Sequence, residues 1–175
     1  MHTRTVMAAL VLLAGAALAG TSPATATPST ATPATGPQAA PRAAAPGWLR
    51  AFQNLKTEEN LSEQNGRLHA RGTDAWVLYS PPGAPQGVYQ IQARGTNNCI
   101  KALSQDTVGL ATCANNPGRP QRWKLDSTLN SVTDIESRQY PGRVITQTQG
   151  GRSVILHPKD SEDDGDQFWN VLQVN

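Results

Sequence analysis

Between Gly47 and Asn175 the chain alternates apolar and polar residues in short runs, the period of half-buried strands rather than of helices. The runs are "GVYQIQAR" (87–94), "VGLATC" (108–113), "QRWKLD" (121–126), "SVTDIES" (131–137), "RVITQTQ" (143–149), "SVILHP" (153–158) and "FWNVLQV" (168–174). Turn-forming stretches separate them: "GTNN", "NNPGRP", "YPG", "QGG" and "DSEDDGD". Strands at intervals of about 8 to 12 residues predict an all-β barrel or sandwich. Only "LKTEENLSEQ" (55–64) also reads as a short helix, and a strand-and-turn segment fits it equally well.

The pattern repeats. Trp76, Trp123 and Trp169 are 47 and 46 residues apart, and two of them close the same triplet, Gln121-Arg-Trp123 and Gln167-Phe-Trp169. Ahead of each lies a short strand, centred on Leu68, Leu110 or Leu156, and further upstream come "WLRAFQN", "VYQIQAR" and "SVTDIES". The segment therefore reads as three copies of a four-strand unit of about 46 residues, the first divergent, with Asp74 in the place of the Gln. One such unit cannot bury its apolar face alone. Three about a pseudo-threefold axis close a barrel and cap it, which is the β-trefoil, with Trp76, Trp123 and Trp169 as core anchors and Gln121 fixing the turn into its Trp.

Composition divides the chain. Residues 1–26 carry His2 and Arg4, the apolar run "VMAALVLLAGAALA" and small-residue sites ending at Ala19 and Ala26, which predicts a secretory signal peptide, too short in its apolar part to span a membrane. Residues 27–46 are almost all Ala, Thr, Pro, Ser and Gly, and predict a disordered linker. All four Trp, both Phe, all three Tyr and both Cys fall in 47–175, enough for one domain with one core. No second apolar run follows, so no membrane span is expected in the mature chain. The net charge of +2 comes from scattered Lys and Arg, which argues against nucleic acid as partner. In an exported chain Cys99 and Cys113 are expected to form a disulfide.

These residues resemble the ricin-type β-trefoil lectin domains that secreted bacterial proteins carry. The resemblance rests on the two QxW triplets, on the cysteine pair flanking "CIKALSQDTVGLATC" and on the period, and covers 47–175. It implies an extracellular, non-catalytic carbohydrate-binding module with up to three shallow sites and no cofactor. In such sites an Asp accepts from sugar hydroxyls, an aromatic stacks on the ring and an Asn before the QxW Gln completes the clamp, a chemistry that suits the hydroxyls and the C–H face of a sugar.

Carried over by position, repeat two lacks all three features, with Lys101, Ala111 and Pro120 in their places. Repeat three keeps Asp166 and Gln167 and has His157 at the stacking position, with Ile145 near the acidic one. Repeat one offers His69 at the stacking position and Ser62 near the acidic one. The expected ligand-binding residues are therefore His157, Asp166, Gln167 and His69, in sugar sites altered from the family pattern. The second reading is a protein-binding trefoil, an inhibitor of a secreted hydrolase or a targeting subunit of a toxin or enzyme complex.

Enzyme and metal motifs are weak. The chain has no GxSxG, no HExxH and no phosphate-cradling loop. Asp160, Glu162, Asp164 and Gly165 imitate the start of an EF-hand loop, but Val171 stands where the bidentate Glu is needed, so a solvated turn is expected and no metal site.

Overall fold

The structure, a computed structural model, describes residues 47–148, 152–160 and 165–174. The expected signal peptide and linker, 1–26 and 27–46, and residues 161–164 of the acidic run lie outside the described residues.

Among the described residues thirteen strands fall into three consecutive sets. The first holds β1 (Trp48–Asn54), β2 (Leu61–Gln64), β3 (Arg67–Ala70) and β4 (Trp76–Tyr79). The second holds β5 (Val88–Ala93), β6 (Asn98–Ala102), β7 (Val108–Thr112) and β8 (Trp123–Lys124). The third holds β9 (Ser131–Thr133), β10 (Glu136–Ser137), β11 (Arg143–Gln147), β12 (Val154–Pro158) and β13 (Trp169–Gln173). Leu55 to Glu59, where a short helix was one expectation, form a turn that leads into β2.

A ring of antiparallel pairings runs β13, β1, β4, β5, β8 and β10, and β9 pairs back onto β13. The stretch "SVTDIES", expected as one strand, is thus a strand in two parts, each pairing one neighbour. It breaks at Asp134 and Ile135, both buried. The hairpins β2–β3, β6–β7 and β11–β12 stand off this ring. They meet one another, since β3 approaches both β7 and β12, and Ala70 N–H donates to Arg152 O at 2.9 Å. A six-stranded barrel capped by three hairpins is the β-trefoil.

The three repeated tryptophans fill the interior with 0 % exposure. Each indole N–H reaches the carbonyl of a buried apolar residue on the first strand of its own hairpin: Trp76 to Leu61 at 2.8 Å, Trp123 to Ile100 at 3.0 Å and Trp169 to Ile145 at 3.0 Å. A buried indole has one polar atom and needs one acceptor, so the bond fixes hairpin to barrel at the same point in every repeat.

Register corrects one sequence expectation. Leu61 faces Ala70, Ile100 faces Leu110 and Ile145 faces Leu156. The counterpart of Leu110 and Leu156 is therefore Ala70, not Leu68. His157, which faces Val144, corresponds to Ala111, which faces Cys99. His69, which faces Ser62, corresponds to Ile155 and Gly109 instead. The two histidines do not occupy matching positions.

The physical cause is loop length. Thirteen residues separate Leu110 from Trp123 and Leu156 from Trp169, but only six separate Ala70 from Trp76. The short connection turns at Gly72, whose φ of 143° favours glycine and whose added Cβ would stand 2.9 Å from Ser62 Cβ.

The disulfide joins Cys99 to Cys113, which ties the two strands of the second hairpin with Cα atoms 4.9 Å apart. In repeat three the same two places hold Val144 and Lys159. There Lys159 Nζ forms an ion pair with the buried carboxylate of Asp134 at the break between β9 and β10.

Candidate functional site

The QxW glutamines are clamps on the long loops. Gln121 is buried at the end of a single 3-10 turn (Arg119–Gln121). Its amide nitrogen donates to Thr112 O at 2.8 Å, and its oxygen accepts from Ala114 N–H at 3.0 Å and from the Gln90 amide at 2.9 Å. Gln167 repeats the pattern, donating to Pro158 O at 2.9 Å and accepting from Asp160 N–H at 3.0 Å. Each thus satisfies backbone groups at the mouth of its loop, which water would otherwise have to reach. Asp74 does something else: its carboxylate accepts from Glu63 N–H at 2.7 Å, because the short loop of repeat one gives it nothing to clamp.

Repeat three opens a cleft of about 300 Å³ beside this clamp, lined by Thr146, Gln147, Thr148, Ile155, His157, Asp160, Asp166 and Gln167. Strand β11 supplies Thr146 and the Gln147 amide, Thr148 follows it directly, β12 supplies Ile155 and the His157 ring, and the loop before β13 supplies Asp166 and Gln167. The imidazole is half exposed, and its Nδ1 lies 3.5 Å from Asp160 Oδ2 and 3.5 Å from the Gln167 amide nitrogen. Asp166 is buried at the cleft wall. Its backbone carbonyl accepts from Gln147 N–H at 3.0 Å and from the Asn54 amide at 3.0 Å.

Repeat one props this cleft from behind. Lys56 Nζ is 3.5 Å from Asp166 Oδ2, Thr57 Oγ1 donates to Gln147 Oε1 at 2.7 Å, and the Gln147 amide donates to Glu59 at 3.1 Å. Repeat one thus braces Asp166 and Gln147 of the cleft. The turn Leu55 to Glu59 gave no signal of this role in the sequence, because its contact partners are some 90 or more residues away.

Three of the four expected ligand residues, His157, Asp166 and Gln167, converge here. The fourth, His69, does not. It lies half-buried on β3 in the cap, bridged to Ser153, outside the lining of this cleft. The position expected to fall near Ile145 is held by Thr146, which lines the cleft while Ile145 is buried in the core.

In repeat two the corresponding surface is closed. Leu103, which matches Thr148, lies over Gly109, and a Cβ there would be 2.9 Å from Leu103 Cδ1. With Lys101, Ala111 and Pro120 around it, this face offers a sugar neither carboxylate nor ring. Among the described residues no group of three or more His, Cys, Asp or Glu could hold a metal ion, and no helix is long and apolar enough to cross a membrane. The EF-hand-like run falls largely on residues 161–164, outside the described residues.

No family model and no curated protein matches the sequence. Solved structures match the fold. A designed 3-fold symmetric protein, ThreeFoil, superposes with a TM-score of 0.58 at 13% identity over 72% of this chain and 99% of its own. A mosquitocidal holotoxin gives 0.60 at 13% identity, and Cry35Ab1 gives 0.57 at 16%. Each of these two matches covers 75% of this chain, which spans only 18% of the holotoxin and 37% of Cry35Ab1. At such identities the likeness establishes the β-trefoil, and it agrees with the ricin-type resemblance of the motifs.

Proposed function

We propose that the chain is a secreted, non-catalytic carbohydrate-binding module of ricin-lectin type, working outside the cell through the cleft of repeat three. The observation that carries this reading is the cleft itself. It gathers two carboxylates, two hydroxyls, two amides and one half-exposed imidazole around a shallow opening, with Asp166, Gln147 and Gln167 held by neighbouring groups of the fold. A saccharide presents paired hydroxyls to planar acceptors and a C–H face to a ring, and this set answers both needs. The imidazole in place of a larger aromatic, and Thr146 in place of a carboxylate, point to a sugar other than the one the family pattern serves. Export is supported by the amino-terminal composition and by the disulfide, which suits an oxidising compartment.

Retention on a panel of immobilised polysaccharides tests the proposal. The secreted chain is expected to bind at least one, and Asp166→Ala and His157→Ala to abolish that retention while the far-ultraviolet spectrum stays unchanged. Absence of retention on every polysaccharide at high protein concentration would sink it.

The second reading, a protein-binding trefoil within a toxin or enzyme complex, draws on one observation: the closed face of repeat two, where Leu103 is exposed over Gly109. A mosquitocidal holotoxin and Cry35Ab1 are built with the same fold in part of their chains, which keeps this reading in view. Replacement of Leu103 by Ser, without effect on polysaccharide retention but with loss of a co-purifying chain, would favour it.

A further inference from the structure

Trp48 is the one tryptophan of four that the core does not take: it is 47 % exposed while the others are at 0 %. It is the first residue of β1, and β1 runs from there toward the hairpins, so its indole stands at the barrel end opposite the cap. A half-exposed indole keeps a large apolar face in water, a standing cost that only a contact removes. Its ring centroid lies 5.8 Å from that of Tyr89, with the planes tilted by 56°.

Tyr89 in turn lines a cleft of about 450 Å³, together with Gln86, Gly87, Lys124, Leu125 and the Asp126 to Thr128 loop. Register explains why there is room. Gln53 pairs with Asn60 as Gln92 pairs with Cys99, so Gly87 holds in repeat two the position that Trp48 holds in repeat one. Repeat two contributes backbone where repeat one contributes an indole.

The charges of this cleft are matched. Lys124 Nζ is 3.1 Å from Asp126 and 3.9 Å from Glu136. The Arg50 guanidinium, two residues along β1 from Trp48, donates to the carbonyls of Thr128 and Leu49 and ties β1 to the cleft loop. Arg50 and Lys124 are thus engaged within the fold; Lys124 meets only Oδ1 of Asp126, and Asp126 lines the cavity with Gln86, Ser127, Thr128 and Tyr89, whose ring the indole of Trp48 meets.

We infer that Trp48, Tyr89, Gln86 and the Asp126 to Thr128 loop form a second binding site for a neutral saccharide, at the barrel end and separate from the cleft of repeat three. The indole takes the C–H face of a sugar ring, and the amide, the carboxylate and the hydroxyls take its hydroxyl groups. A phosphorylated or sulfated ligand would need a cation that these pairings already use. The inference shares only its ligand class with the proposed function, because nothing at Trp48 depends on His157 or Asp166. Two sites at different ends of one barrel would let a single chain grip two points of a polysaccharide, which raises avidity without new contacts.

Indole N–H resonances of the ¹⁵N-labelled secreted chain read this directly, since three of the four indoles are buried. The probes are soluble neutral oligosaccharides of glucose, galactose, xylose and N-acetylglucosamine at millimolar concentration. The Trp48 resonance, assigned with Trp48→Phe, is expected to shift saturably with at least one of them, and to shift equally in the double variant His157→Ala, Asp166→Ala. Trp48→Ala is expected to weaken that binding roughly tenfold. No shift at Trp48 with any probe overturns the inference. So does a shift that vanishes in the double variant, which makes Trp48 a distant reporter of the other cleft. If the double variant loses retention on polysaccharide while the Trp48 shift survives, both sites stand. If the wild-type chain shows neither retention nor shift, both fall.

Discussion

At the scale of the residue, single side chains here satisfy backbone and buried charge rather than adding apolar area. Lys159 occupies the place of Cys113, yet it closes its repeat with an ion pair to Asp134, which is only 4 % exposed. The hydrogen bond and the charge of Asp134 hold the Lys159 amine above its usual 10.5, against the opposing effect of burial. A lysine raised in the folded state contributes its stabilisation fully below 10.5 and loses it as the pH climbs through the higher, folded value. Stability is therefore expected to fall between pH 10.5 and that value in the wild type, and the fall attributable to this residue to be missing in Lys159→Met. At neutral pH the same substitution leaves a buried carboxylate without its cation, and should cost about 2 kcal/mol, less than a fully enclosed pair because the lysine side chain is 42 % exposed. Urea titrations of Lys159→Met and of the double variant with Asp134→Asn check this: the double variant should recover much of the loss, and equal losses in both would show that the pair is not what holds the break in the strand. Nothing in the sequence disclosed this pair, because Asp134 lies at the break between β9 and β10 and Lys159 just after β12, 25 positions on, and only the pairing of β10, β11 and β12 brings them together.

At the scale of the element, the hairpins carry the differences between repeats. Alternation and turn residues were enough to locate most strands, since β5, β7, β11, β12 and β13 fall within the apolar runs that announce them. The register of the first hairpin was not legible. Its connection to Trp76 is seven residues shorter than its counterparts, so no constant distance to the Trp marked the register, and matching Leu68 with Leu110 and Leu156 as strand centres set Leu68 and His69 two places away from the true equivalents. The same short loop explains why Asp74, in the glutamine's place, bonds Glu63 instead of clamping a loop. The site followed a similar rule: His157, Asp166 and Gln167 were legible because repeat three keeps the family spacing, while Lys56, Thr57 and Glu59 were not, because they reach the cleft from another repeat. The second hairpin alone has a covalent tie. Reduction of Cys99–Cys113, with a separation of 14 residues, should lower stability by about 3 kcal/mol on the chain-entropy argument. Thermal unfolding with and without reductant measures it, and an unchanged midpoint would mean that the Gln121 clamp and the strand pairing already hold the hairpin closed.

At the scale of the whole molecule, the question is whether three repeats of unequal appearance make one symmetric core. Repeat one lacks the glutamine, the long loop and the disulfide, and by sequence it is the weakest copy. Inside the barrel the inequality disappears: Trp76, Trp123 and Trp169 share the same exposure of 0 % and the same indole bond, to Leu61, Ile100 and Ile145. The three indole anchors are thus alike, while the hairpins and their loops carry the divergence, down to Ala70 in the place of Leu110 and Leu156. Phe in place of any one Trp removes the donor from a buried carbonyl and leaves a void where the larger ring stood, each a recognised source of loss, together about 2–4 kcal/mol. If the core is symmetric, the three substitutions should cost the same within about 1 kcal/mol, the scatter expected from how far each site relaxes. Denaturant unfolding of Trp76→Phe, Trp123→Phe and Trp169→Phe decides the matter. A much smaller loss at Trp76 would mean that the first repeat is carried by the other two, and that the cleft of repeat three leans, through Lys56 and Thr57, on the least stable part of the barrel.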